Sequence, residues 1–424
     1  MDHVPTNVDK SRSPWIVPFA ILGVMSMLAG LAVVFALLHA GKTGAGNSGD
    51  NVPTVSALGP TSFVNRGPFG VGQTTLKLAS GASVEVWYPA SPDGYHGAVV
   101  KENVLDLVPT SILKLFPALH DLYYPTGGIR NVTVGDGKFP LVLFSHGFAG
   151  WNMQSSFLTA HLASWGFVVA APEHPDRDLT SILTALLKPA ATGSMQSKDV
   201  TDLRQTIDLM TAQDESQGSR FYQHLDLDRI GAVGHSAGGS AVEKLAVVDS
   251  RVKDFIGLAG ASYGALVTGR DAKGSAVPTI PGMLEFGSAD GIVMPSGMVN
   301  AYNAMRQPKR LVTFTGAGHL VFADICQLNP GGGGLVGEAL KANLPVPERL
   351  QALGTDGCSA PSPQVTLAWP AIRQSVTAQL RWALGFDSTQ AGLDGLSSAF
   401  SGVIGLNTTA NSTTLVQVPT ANGN

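Results

Sequence analysis

The stretch Arg229-Ile-Gly-Ala-Val-Gly-His-Ser-Ala-Gly-Gly239 decides the fold. Ile230 to Val233 is short, apolar and partly β-branched, which predicts a buried strand. Gly234-His235-Ser236-Ala237-Gly238 then fits G-x-S-x-G, the nucleophile elbow. Such a turn forces a serine into a tight strand-to-helix corner with its Oγ projecting above a sheet. Gly234 and Gly238 carry no Cβ, so the flanking backbones can crowd together. Ala241, Val242, Leu245 and Ala246 suit one face of a following helix. The pentapeptide alone is weak in a chain with 50 glycines. Its weight comes from the strand before it, the helix after it, and partner residues in the right order downstream.

Upstream, Phe139 to Ser145 is a nearly continuous apolar run, as expected of a strand covered on both faces. It ends at His146-Gly147-Phe148-Ala149-Gly150. In this loop the N–H of Phe148, with that of Ala237 after the serine, would form an oxyanion hole. His146 competes weakly as a base and is better placed as a loop buttress. Met153, Phe157, Leu158, Leu162 and Trp165 recur at helical spacing. Phe167 to Ala171 is the next strand, leading into Pro172-Glu173-His174-Pro175-Asp176. Glu173, His174 and Asp176 invite a metal reading, but adjacent residues on one loop rarely converge on an ion, so loop hydrogen bonding is expected. Val200, Leu203, Ile207 and Met210 mark another helix. The β-α-β-α alternation predicts a mostly parallel central sheet with helices on both faces.

Downstream, Phe255 to Gly260 and Pro281 to Gly287 are further strands. The second opens into Ser288-Ala289-Asp290-Gly291, where an acid at a strand's C-terminal end faces the site. Asp290 is expected to hold a catalytic imidazole in its tautomer; its other reading is a helix cap before Met294. Asp254 and Asp324 are rivals. Arg310 to Thr315 is the last strand expected, followed by Gly316-Ala317-Gly318-His319. His319 on that glycine-rich loop completes the chain order Ser, Asp, His and would act as the base.

The chain has 424 residues, 44% hydrophobic, 14% charged, with a formal net charge of -4. That describes an apolar globular protein large enough for a substantial α/β core. No basic run tracks phosphates, so a nucleic-acid partner is not expected. Gly41-Lys42-Thr43 lacks the upstream glycine of a P-loop, and Gly331-Gly-Gly-Gly334 lacks the following Lys-Ser/Thr. Neither predicts a phosphate cofactor, and no cofactor or metal is expected.

Residues 1–14 are polar, 1–15 form the N-terminal flank, and 16–38 contain no charge, which is enough for a ~30 Å hydrocarbon core. An uncleaved signal anchor is expected, although small residues at Gly30 and Ala32 leave cleavage and secretion open. Lys10 and Arg12 before the span favour a cytoplasmic N-terminus and an extracytoplasmic body. Residues 39–60 read as a linker and 61–386 as the catalytic domain. Gly72 to Leu78 and Ser83 to Tyr88 read as a strand pair bridged by Ala79 to Ala82. Residues 91–137 read as irregular, with a short helix over Ile112 to Leu119. Leu107, Leu113 and Phe116 there either line a substrate entrance or pack an inserted core. Asn131-Val132-Thr133 is a glycosylation acceptor only in a host that uses it. The two cysteines, Cys326 and Cys358, are expected to form a disulfide closing a flap over 327–357 beside His319. Ile372, Val376, Leu380 and Leu384 make a closing helix stopped by Gly385, and 387–424 reads as a mobile tail.

With those residues in place the chain resembles an α/β-hydrolase-fold serine esterase. Within that fold it is similar to the platelet-activating factor acetylhydrolase-like and polyester-hydrolase (bacterial cutinase-like) group. The likeness covers roughly Gly67 to Asp387. It rests on Val84-Glu-Val-Trp-Tyr-Pro-Ala90, Phe144-Ser-His-Gly147, Glu173-His174, Gly234-His-Ser-Ala-Gly-Gly239, Gly287-Ser-Ala-Asp290, and Gly318-His319 with Phe322-Ala-Asp324. The resemblance implies Ser236 as nucleophile, Asp290 as acid, His319 as base and an oxyanion hole from Phe148 and Ala237, without a cofactor. The 91–137 insertion and the 327–357 flap exceed the compact polyester hydrolases. Ala237 stands where those enzymes often carry methionine or phenylalanine. The expected function is hydrolysis of short, medium or lipid-like carboxylic esters by a membrane-anchored enzyme. The alternatives are a catalytically silent envelope scaffold on the same fold and an acyltransferase.

Overall fold

The computed structural model describes residues 52–408, except 94, 116, 118–119, 188–197, 262–276, 360–361 and 363–364. The expected 16–38 span, its flanks and Phe116 lie outside the described residues. Among the described residues no helix is long and apolar enough to cross a membrane.

The strands are β1 Gly70–Lys77, β2 Ser83–Ala90, β3 Val99–Asn103, β4 Tyr123–Arg130, β5 Phe139–Ser145 and β6 Val168–Pro172. They continue with β7 Leu225–His235, β8 Val252–Leu258, β9 Gly282–Gly287, β10 Lys309–Phe314 and β11 Ile404–Thr408. All eleven join one sheet in the order β11-β10-β9-β8-β7-β5-β6-β2-β1-β4-β3. The run from β10 to β6 is parallel throughout. The α-helices of eight or more residues are α1 Ser156–Ser164, α2 Leu179–Leu187, α3 Asp199–Glu215, α4 Ala237–Val248, α5 Pro295–Ala304, α6 Gly334–Lys341, α7 Glu348–Thr355 and α8 Val365–Ala383.

The apolar run of β5 divides by the two-residue period of a strand. Val142 and Phe144 face a core layer shared with α1 and α8, where Phe157, Leu162, Ile372, Val376 and Leu380 are buried. Leu141 and Leu143 face the opposite layer with Leu203, Ile207 and Met210 of α3 and Ala241, Val242 and Leu245 of α4. The central strand is therefore buried on both faces, which is why its sequence shows no alternation. α8 ends where Gly385 takes a left-handed φ of 81°, a conformation that costs glycine nothing.

Three expectations fail. Residues 91–137 are not irregular: β4 pairs parallel to β1 and β3 closes the sheet antiparallel to β4. Pro125, Gly127 and Gly128 within β4 hide its strand character, and a place near the sheet edge tolerates them. The helix there spans only Thr110–Leu113 among the described residues. Residues 387–408 are not a mobile tail. Asp387 accepts from buried Arg381 at 2.7 and 2.8 Å, Leu393 and Leu396 are buried, and β11 pairs antiparallel to β10. Polar composition masked a segment held by one ion pair and two leucines. The folded body also begins before residue 61, since Val52 is buried.

Glu285 on β9 is fully buried against α8, and burial pushes its carboxyl up to about 8. Well below an ordinary carboxylate pKa near 4.5 the group is protonated in both folded and unfolded chains. As pH rises from there to about 8, the unfolded chain releases its proton and the folded chain keeps it, so stability falls. Glu285→Gln should remove about 1.4 kcal/mol per pH unit of that slope. Urea unfolding at pH 5 and pH 8 measures it; an unchanged difference between the two would count against the raised carboxyl.

Candidate active site

Ser236 joins β7 to α4 with φ 56° and ψ -119°. Left-handed backbone at a non-glycine residue costs about 1–3 kcal/mol and persists only where packing fixes it. Here the packing is backbone against backbone. A Cβ on Gly238 would lie 2.0 Å from the Ser145 carbonyl oxygen at the end of β5, and one on Gly239 would lie 2.4 Å from the Gly260 oxygen. The Ser236 N–H donates to the Leu258 carbonyl of β8 at 2.8 Å. The turn is thus clamped between its two neighbouring strands.

His319 Nε2 lies 2.9 Å from Ser236 Oγ, and Nδ1 lies 2.9 Å from Asp290 Oδ2. Asp290 and His319 are buried, whereas Ser236 is partly open to a cavity. The other oxygen of Asp290 accepts from the N–H groups of Ile292 and Val293, each at 2.8 Å. A carboxylate so held accepts Nδ1–H and leaves the Nε2 lone pair facing the serine hydroxyl. The cap of α5 is Met294, so Asp290 is not its capping residue.

The rivals are occupied elsewhere. Asp254 is buried under α8 and accepts from Gln379 Nε2 at 2.9 Å. Asp324, pushed up to about 8 by burial, accepts from the Phe157 N–H and from Gln327. His146 lies 2.8 Å from Glu173 and 2.8 Å from the Gly147 carbonyl, and makes no bond to Ser236. Phe148 lies at the cavity mouth with its side chain partly exposed, and Gly147 faces Ser236. No backbone carbonyl among the described residues accepts from the N–H of Phe148 or Ala237.

Sequence reasoning missed what lies beneath. His235, the variable residue of the elbow, accepts at Nδ1 from Gln154 Nε2 at 2.8 Å and donates from Nε2 to the His319 carbonyl at 3.1 Å. Gln154 Oε1 in turn accepts from the Gly147 N–H at 3.1 Å. Burial, and then the neighbouring His319, hold the His235 pKa well below the usual imidazole range, so the ring is neutral. One buried relay therefore links the loop after β5 to the loop carrying His319. Its signal was the histidine inside G-x-S-x-G.

A second Ser-His-Asp chain lies one layer deeper. Ser145 Oγ is 2.9 Å from His174 Nε2, whose Nδ1 is 3.0 Å from Asp202. Arg177 donates to Ser145 Oγ at 3.0 Å and to the carbonyls of His146 and Gly147, the latter at 2.8 Å. All three members are buried and none lines the cavity, so no ester can reach Ser145. This cluster braces the loop at 146–149. Both ring nitrogens of His174 are engaged, which leaves none for the metal reading. Among the described residues no group of His, Cys, Asp and Glu is arranged to hold an ion.

The cavity over Ser236 measures about 170 Å3, many times the ~10–15 Å3 that one water needs. Leu105, Ile112 and Leu122 of the 91–137 segment, Ile182 of α2, and Val336 and Leu353 of α6 and α7 supply apolar walls. Cys326 and Cys358 are joined by a disulfide that closes the flap carrying α6 and α7. On the chain-entropy argument a loop of 32 residues gains about 3–4 kcal/mol from it.

Gly238→Ala should cost about 1–3 kcal/mol or more and abolish labelling of Ser236 by a fluorophosphonate probe. Gly218→Ala, at a site with nothing nearby, should stay within about 0.5 kcal/mol of wild type. Thermal unfolding with probe labelling checks both; a labelled, fully stable Gly238→Ala protein would refute the backbone clamp.

A family model described as platelet-activating factor acetylhydrolase, isoform II, matches residues 119–218. That stretch includes β5, the 146–150 loop and His174, and stops before Ser236. The platelet-activating factor acetylhydrolase of Cavia porcellus is 24% identical over 247 residues, covering 48% of this chain and 56% of the relative. That of Bos taurus is 24% identical over 311 residues, covering 61% of this chain and 67% of the relative. The chain thus spans little more than half the length of the first relative and about two thirds of the second. Taken with the parallel sheet and the geometry at Ser236, these matches support reading this chain as a platelet-activating factor acetylhydrolase-like α/β-hydrolase serine esterase.

Proposed function

We propose that the protein hydrolyses carboxylic esters through an acyl-enzyme on Ser236. The observation that carries this reading is the unbroken hydrogen-bond path from Asp290 through His319 to Ser236, at 2.9 Å on each side of the ring. Ser236 Oγ attacks the ester carbonyl carbon as His319 Nε2 takes its proton. Asp290 stabilises the imidazolium and fixes its orientation. Charge building on the carbonyl oxygen is met by the N–H groups of Phe148 and Ala237, and each such donor contributes about 3 kcal/mol. Collapse breaks the C–O bond, and His319 returns the proton to the departing alcohol. A water activated by the same imidazole then releases the acid.

The apolar walls favour an ester with a hydrocarbon acyl chain, and the named relatives are consistent with a lipid ester. The charge-free run at 16–38 supports a membrane-anchored enzyme with its hydrolase body outside the cytoplasm. Ser236→Ala should lower kcat for p-nitrophenyl butyrate by about 10³-fold or more. Equal turnover by mutant and wild type would sink the mechanism. Ala339→Trp, filling the cavity from α6, should cut kcat/KM for p-nitrophenyl octanoate about tenfold relative to the acetate. A uniform change across chain lengths would place the acyl chain elsewhere.

A further inference from the structure

Asp356 lies in the flap, directly after α7 and two residues before Cys358. Its carboxylate reaches both loops of the acid–base pair. Oδ1 accepts from the His319 backbone N–H, and Oδ2 accepts from the Gly291 N–H at 3.0 Å. Its backbone carbonyl accepts from the Leu320 N–H at 2.9 Å. His319 opens a short 3-10 helix whose capping position is Gly318, a residue with no side chain to satisfy the first N–H groups. Asp356 supplies those acceptors from a remote part of the chain.

Glycines at 318 and 291 leave room for it. A Cβ on Gly318 would lie 2.3 Å from Asp356 Oδ1 and 2.4 Å from the Gly357 nitrogen. A Cβ on Gly291 would lie 2.8 Å from Asp356 Oδ2. The glycine before the histidine and the glycine after the acid thus make room for one carboxylate. The same flap lines the cavity with α6 and α7 and is fastened by the Cys326–Cys358 disulfide.

We propose that Asp356 is a positioning residue that couples the seating of the disulfide-closed flap to the orientation of His319 against Asp290. This rests on the esterase reading of Ser236. With the flap seated, the carboxylate fixes the separation of the 290 and 319 loops. With the flap displaced, His319 keeps its ring but loses its backbone anchor. Displacement of a reacting group by about 1 Å can cost about 10²-fold in rate.

The test uses the full chain as wild type, Asp356→Ala, Asp356→Asn and Cys326→Ser/Cys358→Ser, with and without reductant. Asp356→Ala should lower kcat on p-nitrophenyl butyrate about 10- to 100-fold with KM within about threefold. Asp356→Asn keeps the shape and one acceptor and should fall between. Reduction should lower wild-type kcat but change Asp356→Ala less than about twofold, since both remove the same constraint. Amide exchange in the segments holding Gly291, His319 and Leu320 should speed up in Asp356→Ala and on reduction. An Asp356→Ala enzyme with wild-type kcat, or effects of reduction and mutation that simply multiply, overturns the proposal. If wild type neither hydrolyses esters nor labels with fluorophosphonate while the exchange pattern holds, the esterase reading falls and the clamp stands.

Discussion

The site depends on how closely one turn of backbone fits between two strands. Ser236 is held at a positive φ, and nothing in its own side chain favours that conformation. It is kept there because α4 starts in contact with the end of β5 on one side and with Gly260 after β8 on the other. Backbone approaches of this kind require glycine at 238, 239 and 260 together. The position of Ser236 is therefore set by the whole parallel sheet, since a shift of β5 or β8 by a fraction of an ångström would move it. The cost of the strained residue is offset by apolar burial on both sheet faces, where each fully buried aliphatic side chain contributes about 1.5–3 kcal/mol.

A second requirement is polar. In the proposed mechanism the loop after β5 donates N–H groups into the cavity, so its carbonyls need partners from below. Arg177 provides them, and its charge is balanced by the ion pair to Asp199 at 3.0 Å. Burial lowers the Arg177 pKa, and Asp199 works against that drop. Ser145, His174 and Asp202 complete the network. The arrangement has the residue types of a catalytic relay and serves as a brace, because what separates the two is access. The difference is physical: Ser236 is partly exposed to a cavity and Ser145 is fully enclosed.

Much of this was legible in the sequence. The elbow, the acid after β9 and the histidine after β10 each stand on a short loop following a strong apolar run, so period and chain order alone place them. What escaped reading had no local signature. β4 carries proline and two glycines, and β11 is hidden in a Ser/Thr/Asn-rich stretch; both are strands because a neighbouring edge is available. Gln154, Arg177 and Asp356 act across 81, 30 and 37 residues of sequence respectively. Such contacts become visible only when the chain is folded. Two traces were nonetheless present: the histidine within G-x-S-x-G, and the glycines beside Asp290 and His319.

The flap answers two conflicting demands with one segment. Ester attack needs a dry cavity, because hydrogen bonds to a developing charge strengthen as the local dielectric falls. It also needs a histidine held by polar contacts at the cavity edge. α6 and α7 turn Val336, Ala339, Leu350 and Leu353 toward the substrate space and make that wall apolar. Asp356 follows at once, outside the apolar wall, and turns toward the two loops. Because wall and clamp share one short piece of chain between the disulfide cysteines, neither can move without the other. Cavity shape and base position are then a single variable, set by where the flap rests.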